Sequence, residues 1–185
     1  AYRIIPWMCW KYDIKGYLYW CVNFWNENPW QNTMNTKWGQ NGNGLLYYPG
    51  KDGPVTSIRL EATRDGIEDY EYLYLLNKKV KEMEAKELDA AGKTSLEKAK
   101  KLLRIDNFIV ESMSEYTQNE NIIYKRRAEI AEAIQDIDRI SSGKPSENIQ
   151  VTEDFSNTVT AEGGKNFGKL GELTFELYRG GAFQI

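Results

Sequence analysis

Residues 17–25 (YLYWCVNFW) form nine consecutive positions without a charge, dominated by aromatic and β-branched side chains. Such a run has the signature of a strand buried on both faces, so the fold it implies must lay other elements over each side of it. Alternation along a strand puts Tyr17, Tyr19, Cys21, Asn23 and Trp25 on one face and Leu18, Trp20, Val22 and Phe24 on the other. The wholly apolar face is expected to pack on helices, and the face with Asn23 to look into a site.

The helices are written before and after it. Residues 3–12 (RIIPWMCWKY) predict a helix, with Pro6 suited to its first turn. Ser57 is placed to cap a long helix in which Ile58, Ala62, Tyr70, Leu73, Tyr74, Leu76, Val80 and Met83 recur at three- and four-residue steps until the pattern runs out near Gly92. Gly66 inside it costs about 1 kcal/mol relative to Ala. Thr94 and Glu97 at capping-box spacing predict a third helix, with a stripe from Leu96 to Tyr116. A fourth is predicted from about Ile122 to Ile140, antiparallel to the third across a TQNEN turn. Between residues 77 and 140 there are 13 Lys plus Arg and 13 Asp plus Glu, the balance of solvated helix faces. Leu45 to Gly50 (LLYYPG) is a second short apolar run closed by a turn, and residues 146–185 are Gly-rich and lightly alternating, with a hairpin expected over 173–185. The organisation expected is an α/β segment over 1–92, a helical pair over 93–142 and an incomplete β-rich segment over 146–185.

Several functions are excluded by what is missing. With no histidine among 185 residues, neither a Ser-His-Asp nor a Cys-His mechanism can run, nor can the usual His-containing zinc site form. Cys9 and Cys21 lack CxxC spacing and read as small core residues. A net charge of -3 gives no footprint for nucleic acid, no apolar stretch is long enough to span a bilayer, and no phosphate loop is written. Asn41 and Asn43 have too few carboxylates around them for a calcium cage. No cofactor and no metal is expected. The opening AYRIIPW has neither an initiator Met nor a signal-type n-region, and reads as part of something longer.

All six Trp and half of the twelve Tyr lie before residue 51. Aromatic faces stack on the C–H faces of sugars while Asn, Asp and Glu collect hydroxyls, so Trp interleaved with Asn beyond a strand end suits a carbohydrate site. Trp7, Trp10 and Trp20 are expected in a core; Trp25, Trp30 and Trp38, at or past the strand end in an Asn-rich loop, are expected in a site. The acidic and basic residues of RLEATRDGIEDYEYL are mostly ordinary surface pairs, with Arg59 and Glu61 nearest the strand-to-helix loop.

The segments PWMCWKYDIKGYLYWCVNFW, NGNGLLYYPG and PVTSIRLEATRDGIEDYEYL resemble, in order and spacing, the C-terminal part of the catalytic domain of glycoside hydrolase family 123 and the related domain of unknown function 4091. The resemblance covers about residues 3–76. It implies the last two strands and final helix of a (β/α)8 barrel, the strands being 17–25 and 45–48. It further implies an enzyme that hydrolyses β-linked N-acetylhexosaminides, in which the substrate's acetamide attacks the anomeric carbon while an adjacent Asp-Glu pair orients it and protonates the leaving group. No Asp-Glu dipeptide occurs in this sequence, so the pair is expected upstream and no catalytic residue is assigned here. The chain would supply pocket wall: Asn23, Trp25, Trp30, Arg59 and Glu61, binding a carbohydrate. The alternatives are a non-catalytic carbohydrate-binding protein, or an interaction protein whose aromatics are core.

Overall fold

A computed structural model of the chain describes residues 2–25, 28–35 and 40–142, which fall within one compact unit. The expected β-rich segment over 146–185 and Trp38 lie outside the described residues. The order is α1 (Ile4–Lys11), β1 (Met34–Asn35), β2 (Gln40–Asn41), β3 (Tyr47–Pro49), β4 (Pro54–Thr56), α2 (Ile58–Glu84), α3 (Ala90–Leu102) and α4 (Glu120–Ser142). The strands form two antiparallel hairpins, β1 with β2 and β3 with β4, the latter in the register Tyr47 to Thr56, Tyr48 to Val55 and Pro49 to Pro54.

The four helices share one apolar core. Ile4, Trp7 and Met8 of α1 meet Leu73, Leu76, Val80 and Met83 of α2, Leu96, Ala99 and Leu102 of α3, and Ile123, Ile130, Ala133 and Ile137 of α4. Each large side chain so buried is worth about 1.5–3 kcal/mol. Through this core runs a charged staple. Asp69 on α2 is fully buried and takes Nε and an Nη of Arg3 at 2.8 and 3.0 Å, the Trp7 indole N–H at 3.0 Å, and the Arg127 guanidinium from α4 at 3.3 Å. A carboxylate without water must find such partners, and here they come from two other segments, the start of α1 and the middle of α4. The guanidiniums are held in turn, Arg3 over the Tyr124 ring at 4.2 Å and Arg127 over Tyr72 at 4.8 Å. The reading of this cluster as surface pairing is therefore corrected at Asp69. Gly66, one turn earlier, has its reason here too: a Cβ there would stand 2.5 Å from the Arg3 carbonyl oxygen, so glycine lets the chain entering α1 lie directly on α2.

Helix limits follow local hydrogen bonding. Ser57 Oγ accepts from the Leu60 N–H at 3.3 Å and caps α2, as expected. The cap of α3 is Asp89, whose Oδ1 accepts from the Gly92 N–H at 2.7 Å. Thr94 and Glu97 are not a capping box, since Thr94 lies inside the helix and its hydroxyl donates to the Ala90 carbonyl. Nor does α3 run on to Tyr116. After Leu102 the chain enters turns in which Ser112 Oγ accepts from the Ser114 and Glu115 N–H groups, local bonds that compete with a helical ladder. Ile105, Ile109 and Val110 still reach the core, from turns, and the link from α3 to α4 spans the whole of 103–119.

The largest departure from the sequence reading is residues 17–25. They form no regular strand; the chain bends at Trp20 and Val22 and makes one antiparallel bridge, Asn23 to Leu45. Its apolar face does not pack on helices: Leu18 is 91% exposed, Trp20 52% and Phe24 38%. A strand needs ladders on its sides, and among the described residues only 44–47 offer one. Cys9 is buried as expected, whereas Cys21, within this run, is half-buried.

Replacing Asp69 by Ala leaves two half-buried guanidiniums without their shared carboxylate and is expected to cost about 3 kcal/mol, read as a fall in the urea midpoint. Gly66→Ala is expected to destabilise as well, against the gain of about 1 kcal/mol that helix propensity alone would give. Burial raises the Glu71 carboxyl above its ordinary value. Its contribution to stability is thus present below the unfolded pKa and lost as pH rises through the folded one, so Glu71→Gln is expected to raise the midpoint near pH 7 and leave it unchanged near about pH 3.

Candidate functional site

An indole face is presented to solvent on the hairpin side of the molecule. Trp30 is 58% exposed, yet its ring is fixed from three directions. Asn28 Oδ1 accepts from the Trp30 backbone N–H at 3.1 Å, an Asx turn closed over the buried Pro29. The indole N–H donates to the Pro49 carbonyl at 2.9 Å, and the ring lies on that of Tyr48 with centroids 4.7 Å apart and planes 31° from parallel. What remains open is one aromatic surface with little rotamer freedom to lose on binding.

Beneath it, Tyr48 meets Arg59. Arg59 leaves the first turn of α2, donates from Nε to the Leu45 carbonyl at 2.8 Å and from a terminal nitrogen to the Tyr48 hydroxyl at 3.0 Å. Its guanidinium packs so closely on the chain at Gly42 that a Cβ there would stand 2.7 Å from the guanidinium carbon, and Gly42 has φ +71°. The NGNG sequence is thus a loop shaped to receive an arginine. A second aromatic corner lies next to it. Trp20 and Phe24 tilt together at 5.0 Å over Gly44, where a Cβ would stand 2.7 Å from the Trp20 ring, and the Trp20 indole N–H donates to Asn43 Oδ1 at 3.0 Å. Tyr19 donates its hydroxyl to the same oxygen at 3.2 Å, accepts from the Gly44 N–H at 2.8 Å, and pairs with Tyr2 at 3.1 Å. Burial, then the bond to Tyr19, pushes the Tyr2 phenol up.

Of the five residues assigned to the wall from sequence, the structure joins Trp30 and Arg59 through Tyr48. It ties Asn23 to them through the backbone, since Asn23 is bridged to Leu45, whose carbonyl Arg59 holds. Glu61 turns along α2 to Arg64 at 2.5 Å, and its carboxylate adds to the burial that raises the Tyr47 phenol. Trp25 is half-buried at the end of the bridged run. Trp20, expected in the core, is on the surface; Trp7 is in the core, and Trp10, half-buried, stacks edge-on against Tyr70 and donates to the Leu103 carbonyl at 2.9 Å. Tyr48, the residue that makes the site cohere, was not singled out from sequence. Its signal was the PG that follows it, which turns the chain and leaves the preceding aromatic at a hairpin's edge. Among the described residues no group of three or more Cys, Asp or Glu side chains is placed to hold a metal ion.

An exposed, anchored indole beside a guanidinium is a surface able to stack a sugar ring and hydrogen-bond its hydroxyls. Comparison with known families points the same way. Residues 1–76 match the family model of the glycoside hydrolase 123 catalytic domain. The match gives this segment a glycoside hydrolase-like origin and takes in α1, both hairpins and α2 as far as Leu76. No curated protein matches the chain significantly. Every residue of the aromatic surface lies inside the matched segment, and α3 and α4 lie outside it.

Tyr48→Ala is expected to release the Trp30 ring from its support and the Arg59 guanidinium from one partner. The Trp30 indole N–H resonance would shift in a proton–nitrogen correlation spectrum while that of Trp10, bonded to Leu103, stays in place.

Proposed function

We propose that residues 1–92 are the C-terminal part of a barrel-type glycoside hydrolase catalytic domain, and that they contribute one wall of a pocket for a β-linked N-acetylhexosaminide. The single observation that carries this reading is the Trp30 face, open to solvent and clamped on Tyr48 and Pro49 within the segment of glycoside hydrolase-like origin. In this reading the C–H face of a pyranose stacks on Trp30. Arg59 donates to hydroxyl or acetamide oxygen, a role suited to a group with five donors and no acceptor. Asn23 and Trp25 border the same wall from the bridged run, and Glu61 adds a carboxylate that accepts from hydroxyls. In this reading α3 and α4 are accessory helices that complete the core under α1 and α2.

The chemistry proposed is retaining hydrolysis assisted by the substrate's own acetamide, with the orienting Asp and the acid Glu carried upstream of residue 1. The chain by itself then binds sugar without cleaving it. Among the described residues no helix is long and apolar enough to cross a membrane; the proposed partner is a glycan, not nucleic acid, and the proposed setting is an exported one.

Titrating the 185-residue chain with N-acetylgalactosamine is expected to quench Trp fluorescence saturably. Trp30→Ala is expected to weaken binding by about tenfold or more, the scale of one stacked aromatic contact. A chromogenic N-acetyl-β-galactosaminide is expected to remain uncleaved. Quenching that survives Trp30→Ala and Tyr48→Ala unchanged would remove the wall from this surface, and turnover by the chain alone would remove the upstream acid.

A further inference from the structure

The turn from Gly42 to Leu45 carries two left-handed glycines, Gly42 at φ +71° and Gly44 at φ +79°, and closes with the Leu45 N–H donating to the Gly42 carbonyl at 3.2 Å. Glycine permits such a backbone without holding it, because it has as many other conformations open to it. What holds this turn converges on a single phenol. The Tyr19 hydroxyl accepts from the Gly44 N–H at 2.8 Å and donates to Asn43 Oδ1 at 3.2 Å, so the Tyr2 hydroxyl, 3.1 Å away, is the donor of that pair. The one donor and the acceptor positions of Tyr19 are thereby filled. Tyr2 also sets its ring edge-on against that of Tyr19, with centroids 5.8 Å apart, and it precedes Arg3, which is bound to Asp69. The turn is thus tied through two hydroxyls to the start of α1.

On its other side the turn carries Arg59. The guanidinium lies directly on Gly42, and its Nε donates to the Leu45 carbonyl at 2.8 Å, so both ends of the turn touch it through backbone atoms. We propose that Tyr19 is a positioning residue for Arg59: its hydroxyl fixes the turn whose backbone seats the guanidinium, and through the guanidinium it sets how the wall meets a sugar. With its bonding positions spent, the phenol has nothing to offer a ligand directly, and its effect on binding passes through Arg59. A turn released from Tyr19 would have to be ordered again each time a ligand binds, at a cost in affinity. The sugar is that of the function proposed above, on which this part of the inference rests. The seating of Arg59 is a property of the free chain and can be read without ligand.

The first measurement therefore needs no sugar. The Arg59 Nε–H, held on a carbonyl, gives a proton–nitrogen cross-peak that is identified by its absence in Arg59→Gln. Tyr19→Phe, which removes the hydroxyl and keeps the ring, is expected to shift that cross-peak with helical circular dichroism retained. Tyr12→Phe, which removes a hydroxyl donated to the Glu111 carbonyl, is expected to leave it in place. The second measurement is a cycle of affinities for N-acetylgalactosamine. Tyr19→Phe is expected to weaken binding about fivefold, the net scale of one hydrogen bond, and to weaken it no further in an Arg59→Gln background. If Tyr19→Phe loses helicity, Tyr2→Phe takes its place with the same expectations. An Arg59 cross-peak that stays put would overturn the proposal. So would an undiminished loss of affinity in the Arg59→Gln background, which would put the phenol on the sugar itself. If the unaltered chain binds no sugar, the function proposed above fails, and the cross-peak alone decides whether Tyr19 positions Arg59.

Discussion

The fold turns on one buried carboxylate. Asp69 satisfies four donors from Arg3, Trp7 and Arg127, and in doing so fixes the start of α1, the middle of α2 and α4 to a single point. Apolar contact would hold these helices together in many rotations, because leucine and isoleucine faces slide at small cost. A planar carboxylate meeting a bidentate guanidinium on one side and an indole N–H on another allows far fewer. Burying three charges is not in itself a gain in stability, and hydrophobic replacements of the same shape could match it; what the cluster supplies here is position. Gly66 belongs to the same arrangement, since only with the chain of Arg3 pressed onto α2 can its guanidinium reach Asp69 edge-on.

That position passes outward to the aromatic surface. The helix that carries Asp69 begins at Ser57 and Arg59, and these two residues hold the hairpin region by its backbone: the Ser57 N–H donates to the Leu46 carbonyl and Arg59 to that of Leu45. Tyr48 then leans on Arg59, and Trp30 on Tyr48. Each step in the series is a polar contact or a ring contact with defined geometry, so an exposed indole far from the core still inherits an orientation from it. Gly42 and Gly44 make room for the bulky members, one for a guanidinium and one for the Trp20 ring, both at positive φ.

Sequence patterns revealed the parts that depend on local chemistry. The α1 and α2 helices, the Ser57 cap, the fourth helix and the glycoside hydrolase resemblance could all be read from periodicity, capping residues and motif order. What could not be read depends on partners far along the chain. Asp69 looks like any acidic residue of a charged helix until Arg3 and Arg127 are brought to it, and nothing local distinguishes it from Asp65. The stripe from Leu96 to Tyr116 keeps a helical period although the chain leaves the helix at Leu102, because turns can deliver Ile105, Ile109 and Val110 to the same core. Residues 17–25 have strand composition and lack the ladders a strand needs. Of the aromatic surface, Trp30 and Arg59 could be singled out by residue type, but Tyr48, which touches both, is brought between them only by the contact.

The division of the apolar core has a consequence for how the molecule opens. Its members come from the four helices and from turns between α3 and α4, while the described residues of 12–57 contribute none; Leu45 and Leu46 are buried apart from it. The aromatic surface is thus a lobe attached to the helical body at the head of α2, and its amides can lose protection against hydrogen exchange without those of α2, α3 and α4 doing so. A ligand that engages the lobe would then raise protection there first, and the free energy of local opening, rather than that of global unfolding, would set how much of its affinity goes into ordering the surface.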